Sequence, residues 1–518
     1  MLITLLNHEI LNLLKSNRIF LSVLIFLILF VSVFSIRVLA FQEQLNQYID
    51  DMRTYNERLQ NVTTYSQINL NAIQKPILFS IYNQGFRFPR VVSIRYYEPI
   101  LRTISINEAN NKIYTQKSNL DITFLITFFL SLFILLVSYD SVNGEKTTGT
   151  LKLLMTFPIK RQSFILKKIL GIFILISVSF TIPYIISLIT LILIYADLLT
   201  MTFYLSFFFY YLLTLLYIFF FCLLGIFISC STNNPNHSLV FSLLIWVLLT
   251  IILPVSYDKI VSPVINNETI EKLTRIYDEK LKLSRRIFSL QEVDETKYNT
   301  NDLDMGAEYL EWSGGFFYDA KVWAFTETYE KRINFQNYVI NEYYPISKEV
   351  EQAIDGIYRK RINMEDVKVW VLFFNPITLF ENLSQKITGN SRFDHLIFLH
   401  DSRYIRDELV QLGRNEGWLQ DKRFFTMYKE EFEPGSIKKI YDSFNGDTNK
   451  AWEHIMTFYE WELEPFNMVL PSIRNYTQPP LLFGEIFLRM WRYLLLFVIN
   501  ILILLILTWL KFMRYDLR

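Results

Sequence analysis

The chain has 518 residues, of which 52% are hydrophobic and 16% aromatic, and its formal net charge at pH 7 is +1. This composition excludes a disordered chain and indicates a protein that lies partly in lipid, and nothing in it points to a nucleic-acid partner. Two cysteines are too few for a disulfide framework, and Cys222 and Cys230 fall in or beside an apolar run, where small packing residues are common.

Six apolar segments are each long enough to cross a hydrocarbon core, which takes about 20 helical residues. We expect them at 19–41, 121–139, 169–196, 203–228, 239–257 and 487–511. The polar stretch 229–238 separates the fourth from the fifth, because its Asn-Asn-Pro-Asn sequence is typical of a turn. The first segment is longer than the apolar part of a signal peptide and lacks a good cleavage site. The predicted fold is therefore an all-α transmembrane bundle of six helices.

The distribution of charge predicts the orientation of this bundle. Lys and Arg number 11 against 4 Asp and Glu in the short segments 1–18, 140–168, 229–238 and 511–518. Basic residues in short loops beside the spans mark the cytosolic face, whereas long domains cross largely regardless of charge. Both termini, including the tail 512–518, are therefore predicted to be cytosolic.

Two segments remain for the opposite side. The first, 42–120, begins with a helical stretch that continues the first span, and its second half has the Pro, Gly and β-branched residues of turns and short strands. The second, 258–486, is predicted to be a large extracytoplasmic domain, mostly helical with some short strands. Because the first segment alone buries little core, we expect it to pack on the second.

Residues 1–18 are predicted to form an amphipathic helix on the cytosolic side. Its apolar face at helical spacing consists of Leu6, Ile10, Leu13 and Leu14. Such a helix typically lies in the membrane interface with lipid as its partner. A simple cytosolic extension of the first span is the alternative.

The loop after the second span contains NGEKTTGTLKLL at 143–154. Gly144 and Gly149 have the spacing of the glycines in a phosphate-binding loop, but Thr150 and Leu151 stand where Lys and Ser/Thr are required. The stretch also follows a membrane span and not a buried strand. We therefore predict no ATP-binding site here and no cofactor bound by this chain.

Patterns for other chemistry are weak. His395 and His400 are five apart, which puts them on different faces of a helix, unlike the i, i+4 pair of a zinc site. The spans carry essentially no charge in their cores, which disfavours an ion or proton pathway. No catalytic residue and no metal site is predicted, and a non-enzymatic membrane protein is favoured. A membrane enzyme with its site outside stays open.

The loop 140–168 instead has the features of a short docking helix. Gly149 separates this helix from the second span, Thr150 can cap it and Pro158 ends it. A small apolar ridge at i, i+3 and i+4 is formed by Leu151, Leu154 and Met155. The ridge fits a shallow cleft on a partner, and an interfacial helix on the membrane is the alternative.

The same loop resembles the ABC-2-type permeases of ATP-binding-cassette systems. In that family a Glu, a Gly-Thr-Leu, a Leu-rich helix, a Pro and a basic residue mark the loop between spans two and three. These positions are Glu145, Gly149, Thr150, Leu151, Leu154, Pro158 and Arg161. The basic amphipathic N-terminal helix around Glu9 and the six spans are similar as well.

The resemblance implies a coupling helix that docks on a separate cassette ATPase, a dimer that hydrolyses the ATP. It also implies a multi-pass permease of the bacterial inner membrane, acting as an exporter and paired with a second copy or a related chain.

The large insert before the last span is similar to a subgroup that includes the permease of nitrous-oxide-reductase maturation systems. This similarity is carried by Asn375, Pro376, Leu379, Leu383, Gly389, His395, Phe398, Tyr404 and Arg406. A periplasmic or cell-envelope partner for the insert follows as an expectation. A non-transporting role in force transmission or envelope assembly, driven by the same kind of ATPase, stays open beside export.

Overall fold

The structure is a computed structural model. It describes residues 13–62, 68–85, 91–95, 120–156, 161–256, 375–421 and 483–514, with shorter pieces and single residues between them. Most of the predicted outer domain lies outside these residues, as do the predicted site residues Leu6 and Pro158.

Six helices of the described chain are long and apolar enough to cross a membrane, which confirms the predicted fold class. They cover Ile19–Gln60, Ile122–Thr147, Arg161–Leu198, Met201–Ser231, Pro235–Ser256 and Met490–Met513.

Helices α1 to α5 lie between residues 17 and 195. Helix α1 is Asn17–Gln60, and α2 runs through Ile122–Phe124, a π-helical segment Leu125–Leu130, and Ser131–Ser138; the short helices α3 and α4 are Asn143–Thr147 and Thr150–Thr156, and α5 is Arg161–Tyr195. At 44 residues α1 extends well beyond a bilayer, as predicted for the start of 42–120.

Helices α6 to α10 follow along the described chain. They are α6 (Met201–Ser231), α7 (Pro235–Val247, continued by a π-helical turn Leu248–Ile252), α8 (Pro376–Thr388), α9 (Arg392–Asn415) and α10 (Phe483–Met513). The connection between α6 and α7 is shorter than the polar stretch 229–238. It is shorter because Pro235 occupies the first turn of α7, a position where its missing N–H costs nothing.

Helix α6 lies at the centre of the bundle, where it contacts α2, α5, α7, α8 and α10. Its approach to α2 is close, since a methyl group on Gly225 would stand 1.8 Å from Ser138 Oγ. Polar side chains inside the bundle bond to neighbouring helices: Tyr217 donates to the Thr127 carbonyl at 3.1 Å. Such bonds satisfy groups that lipid cannot.

The first outer segment contains a three-stranded antiparallel sheet in the order β1 (Asn69–Ile73), β2 (Val91–Arg95), β3 (Arg102–Thr103). Its register pairs Leu70 with Ile94. The sheet shares a hydrophobic cluster with α9, and the Tyr65 ring stacks on Trp418 with centroids 4.8 Å apart. The expected packing of this segment on the large insert is thereby confirmed.

A short buried turn of the first outer segment, Leu78–Ile81, packs into the end of the bundle that lies beside this sheet. Arg37 lies inside α1 at 3% exposure and donates to the Ser80 carbonyl at 3.0 Å. Tyr82 shares a hydrogen bond of 2.7 Å with Ser187 of α5. We call this end, together with the sheet, α8 and α9, the insert face.

Helix α8 packs into the bundle at the insert face and contacts α6, α10 and both π-helical segments. Asn375 caps its start by accepting from Thr378 N, and Gly389 ends it with a left-handed backbone at φ 71°. Asn83 of the first segment donates to Ser384 Oγ of α8 at 2.6 Å. We assigned this helix to the outer domain from the sequence, and its apolar face joins it to the spans.

Candidate functional site

The opposite end of the bundle carries α3, α4, the start of α5, the α6–α7 connection and the end of α10, and we call it the loop face. It also receives the N-terminal residues before α1. The chain turns at Ser16, whose backbone is extended, so the preceding helical residues run in a different direction from α1. Residues far apart in sequence therefore meet here.

Helix α3 is fixed to the α6–α7 connection. Lys146 Nζ donates to the carbonyls of Cys230 at 2.8 Å and Thr232 at 3.2 Å, which are free carbonyls at the end of α6. Ser229 Oγ accepts from the backbone N–H of Asn143 at 3.1 Å. The start of the predicted coupling loop is thus bonded to the end of α6 and to the α6–α7 connection.

Helix α4 is oriented by its apolar residues. Leu151 is 1% exposed within the bundle core, and Leu154 and Met155 pack half-buried against the same core. The predicted ridge therefore faces the bundle, which differs from the expected contact with a partner. Apolar spacing fixes which residues share a face, but it does not say what that face meets.

The other face of this loop is open. Among the side chains of 143–156 that the structure describes, those of Thr147, Thr148, Thr150, Leu153 and Thr156 are exposed, with Leu153 exposed by 64%. Gly149 has a left-handed backbone at φ 75°, a conformation that favours glycine and makes the turn from α3 to α4. Leu153 is thus an exposed apolar side chain with exposed threonines around it.

Buried charges join the loop to α5 and to the N-terminal residues. Lys168 Nζ lies 2.7 Å from Glu9 Oε1 and 2.5 Å from Glu145 Oε1, and Lys167 Nζ lies 3.9 Å from Glu9 Oε2. The side chains of Glu9 and both lysines are at most 7% exposed, and that of Glu145 is 22% exposed. These four groups form a neutral cluster, which we call the charge cluster.

Arg161 ties the start of α5 to the end of α10. Its Nη1 donates to the Met513 carbonyl at 3.0 Å, and the rings of Phe164 and Phe512 stack with centroids 5.5 Å apart. The basic residue that the sequence places after Pro158 thus holds the last span.

The predicted N-terminal helix is half covered. Leu13 packs against the bundle core, Ile10 is partly buried, and Leu11 and Leu14 are each 56% exposed. The interfacial position of this helix stays a prediction. The amphipathic pattern did not indicate that Glu9 of this helix is buried.

Glu9, Glu145 and Arg161 all lie at the loop face, where Glu9 and Glu145 share Lys168 and Arg161 bonds to α10. Sequence reasoning missed Lys146 and Lys168 as site residues. Lys146 lies in the polar loop after the second segment and Lys168 directly precedes the third, and we used both only to assign orientation.

The described residues contain no group of three or more His, Cys, Asp or Glu that could hold a metal ion. His395 is 3% exposed in α9, and His400 of the same helix is exposed. Burial and the nearby Arg403 guanidinium lower the pKa of His395 to about 4. The two histidines therefore lie in different surroundings, as their spacing predicted.

A family model for ABC-2 family transporter proteins matches residues 3–517 of the chain. The chain is also similar to the probable ABC transporter permease protein NosY of Pseudomonas aeruginosa, with 46% identity over 50 residues. That similarity covers 10% of this chain and 18% of the relative, so the chain matches less than a fifth of the relative's length.

Proposed function

Because the chain belongs to the ABC-2 family of transporter proteins and is a membrane permease of that kind, we propose that a separate cassette ATPase docks on its loop face. The family implies an ATPase partner. The observation that carries the proposal is α4, whose inner face is fixed to the bundle while Leu153 and its neighbouring threonines stay open.

The chain lacks its own ATP-binding site in this proposal, and the partner, a dimer, hydrolyses the ATP. Leu153 enters a shallow cleft of the ATPase, with Thr150 around it. Leu151, Leu154 and Met155 support α4 from behind. Glu145, Gly149 and Arg161 hold the loop in place, and the expectation that Pro158 ends the helix concerns a residue outside those that the structure describes.

Movement of the ATPase subunits is transmitted to the spans through the hydrogen bonds that join the loop face to them. A push on α4 acts on α5, while α3 acts on α6 and α7 through Lys146 and Ser229. Arg161 adds α10 at the same face. A rigid-body shift of several spans is the kind of switch that domain closure produces.

In this arrangement the loop face is cytosolic, both termini lie on that side, and the insert face lies outside the bacterial inner membrane. The excess of basic residues in the short loops supports this orientation. The permease acts as a homodimer or with a related chain. Export as the direction rests on the resemblance alone.

A second candidate function is mechanical, with the ATPase driving an envelope partner and no substrate crossing. The insert face supports it, because Leu78–Ile81 and α8 fill that end of the single chain. The Tyr82–Ser187 and Asn83–Ser384 bonds hold this filling in place. The large insert is then the surface that meets a periplasmic or cell-envelope protein.

Co-expression of the chain with its cassette ATPase tests docking. We expect the two to co-purify, and we expect Leu153→Asp to abolish both co-purification and ATP turnover by the complex, since a buried unpaired charge is costly at an interface. Tyr404→Asp is the matched control, because Tyr404 is 59% exposed on the insert face. Retention of the ATPase by Leu153→Asp would overturn the proposal.

A further inference from the structure

We infer that Lys168 is a positioning residue that holds the loop α3–α4 and the N-terminal helix to α5 as one moving body. The inference rests on the proposed function for the meaning of that movement, and it adds a residue to which neither sequence nor family resemblance assigned a role. Its basis is the geometry of the charge cluster.

Three separate parts of the chain meet at one ammonium group. Glu9 comes from the N-terminal helix, Glu145 from α3, and Lys168 from α5, with both carboxylates within 2.7 Å of Lys168 Nζ. A lysine carries three donors, so one group can bond both carboxylates at once. Charge-assisted bonds of this length are short and directional, and at 7% exposure water screens them little.

The neighbouring lysine provides a contrast inside the same cluster. Lys167 is buried to the same degree as Lys168, yet among the described carboxylates its Nζ comes within 4.0 Å of Glu9 alone, at 3.9 Å, and it lies 4.7 Å from the centre of the Phe164 ring. It adds positive charge to the cluster without bridging to α3. The two lysines thus carry the same charge and are equally exposed. They differ because Lys168 bonds to both Glu9 and Glu145.

A second, steric feature marks the same junction. A methyl group on Gly171, one turn further along α5, would stand 3.0 Å from Glu9 Cγ and 3.8 Å from Leu13 Cδ1. The N-terminal helix therefore lies against α5 at a distance that leaves almost no room for a larger residue. Close packing and the lysine bridge hold the same two elements.

Loss of the bridge leaves two carboxylates facing each other. Glu9 and Glu145 then repel across a site with little water, and Lys167 reaches only one of them. The loop separates from the N-terminal helix, and a push on α4 no longer moves α5 with it. Docking itself stays intact, because the open face of α4 does not include the cluster.

A distance measurement on the purified chain tests the bridge directly. Spin labels at exposed Leu11 and Thr148 report the separation of the N-terminal helix from the loop, and the native cysteines are buried. We expect a narrow distribution for the wild type, Lys167→Met and the conservative variant Lys168→Arg. We expect a broader and longer one for Lys168→Met. Equal distributions for Lys167→Met and Lys168→Met overturn the inference.

ATP turnover of the complex with the cassette ATPase gives the functional arm. We expect Lys168→Met to co-purify with the ATPase and to lose about tenfold in turnover, a change typical of coupling between sites. The exposed Lys15, changed to Met, is the surface control. Unchanged turnover in Lys168→Met overturns the inference. If the wild type binds no ATPase, the proposed function fails while the distance measurement still decides the bridge.

A double variant separates positioning from simple stability. Glu145→Gln and Lys168→Met together remove one charge of each sign and leave Glu9 paired with Lys167, so we expect thermal stability to return. We expect the label distance to stay broad, because no ion bridge remains. If the variant recovers both the narrow distance distribution and the thermal stability, packing without the ion bridge holds the two elements together, which would contradict the inference.

Discussion

At Gly225 the backbone of α6 approaches α2 more closely than any other residue type allows, since a methyl group there would stand 1.8 Å from Ser138 Oγ and 2.7 Å from its Cβ. We expect Gly225→Ala to lower the free energy of unfolding by about 1–3 kcal/mol, as overpacking does. Thermal unfolding in detergent measures this. Gly484→Ala in α10, where a methyl group meets nothing within 4 Å, is the control. Adding Ser138→Gly should recover part of the loss.

His395 makes stability depend on pH. Because burial lowers its pKa from 6.5 to about 4, the unfolded chain takes up a proton between these values and the folded chain does not. Stability attributable to this group is complete above pH 6.5 and falls as the pH drops towards 4, by roughly 3 kcal/mol.

Thermal unfolding at pH 7 and pH 4.5 checks this dependence. His395→Gln should show a smaller drop between the two pH values than the wild type, and His400→Gln, at an exposed position of the same helix, should match the wild type. An equal drop in all three proteins would show that His395 does not contribute and that carboxylates elsewhere in the chain set the pH dependence of stability.

Among the elements, α8 joins the insert to the membrane bundle through one apolar face. Phe380 is fully buried, and its ring centre lies 4.6 Å from that of Tyr217 in α6. We expect Phe380→Ala to cost about 3–5 kcal/mol in stability, since it removes a buried ring and leaves a cavity. Thermal unfolding of Phe393→Ala, a ring that is 40% exposed in α9, should change little. A similar loss in both variants would contradict the docking of α8.

The elements also show what the sequence could indicate. Length and hydropathy predicted the six spans, because a helix in lipid must be long and uncharged. They could not show that α8 enters the bundle, since an amphipathic helix of 13 residues is equally suited to a soluble domain. The sequence indicated which residues form the apolar ridge of α4. It did not indicate that this ridge packs against the bundle. The bridge at Lys168 joins positions 9, 145 and 168, and no local pattern links residues so far apart.

At the scale of the whole molecule, the six described spans place the residues before α1 and the end of α10 on the loop face, and α8 and α9 on the insert face. We expect a membrane-impermeant thiol reagent to label Tyr404→Cys and not Thr148→Cys in right-side-out vesicles. Permeabilised vesicles should label both. Cys222 and Cys230 are buried and should contribute little signal. Labelling of Thr148→Cys alone in sealed vesicles would invert the proposed orientation.

The measurement that most directly decides where the ATPase docks is site-specific photo-crosslinking in the assembled complex. A photoreactive residue at Leu153, the most exposed apolar side chain of α4, should form a covalent product with the cassette ATPase. The same residue at Tyr404 on the insert face should form none. Crosslinking from Tyr404 without any from Leu153 would show that the loop face is not the docking surface.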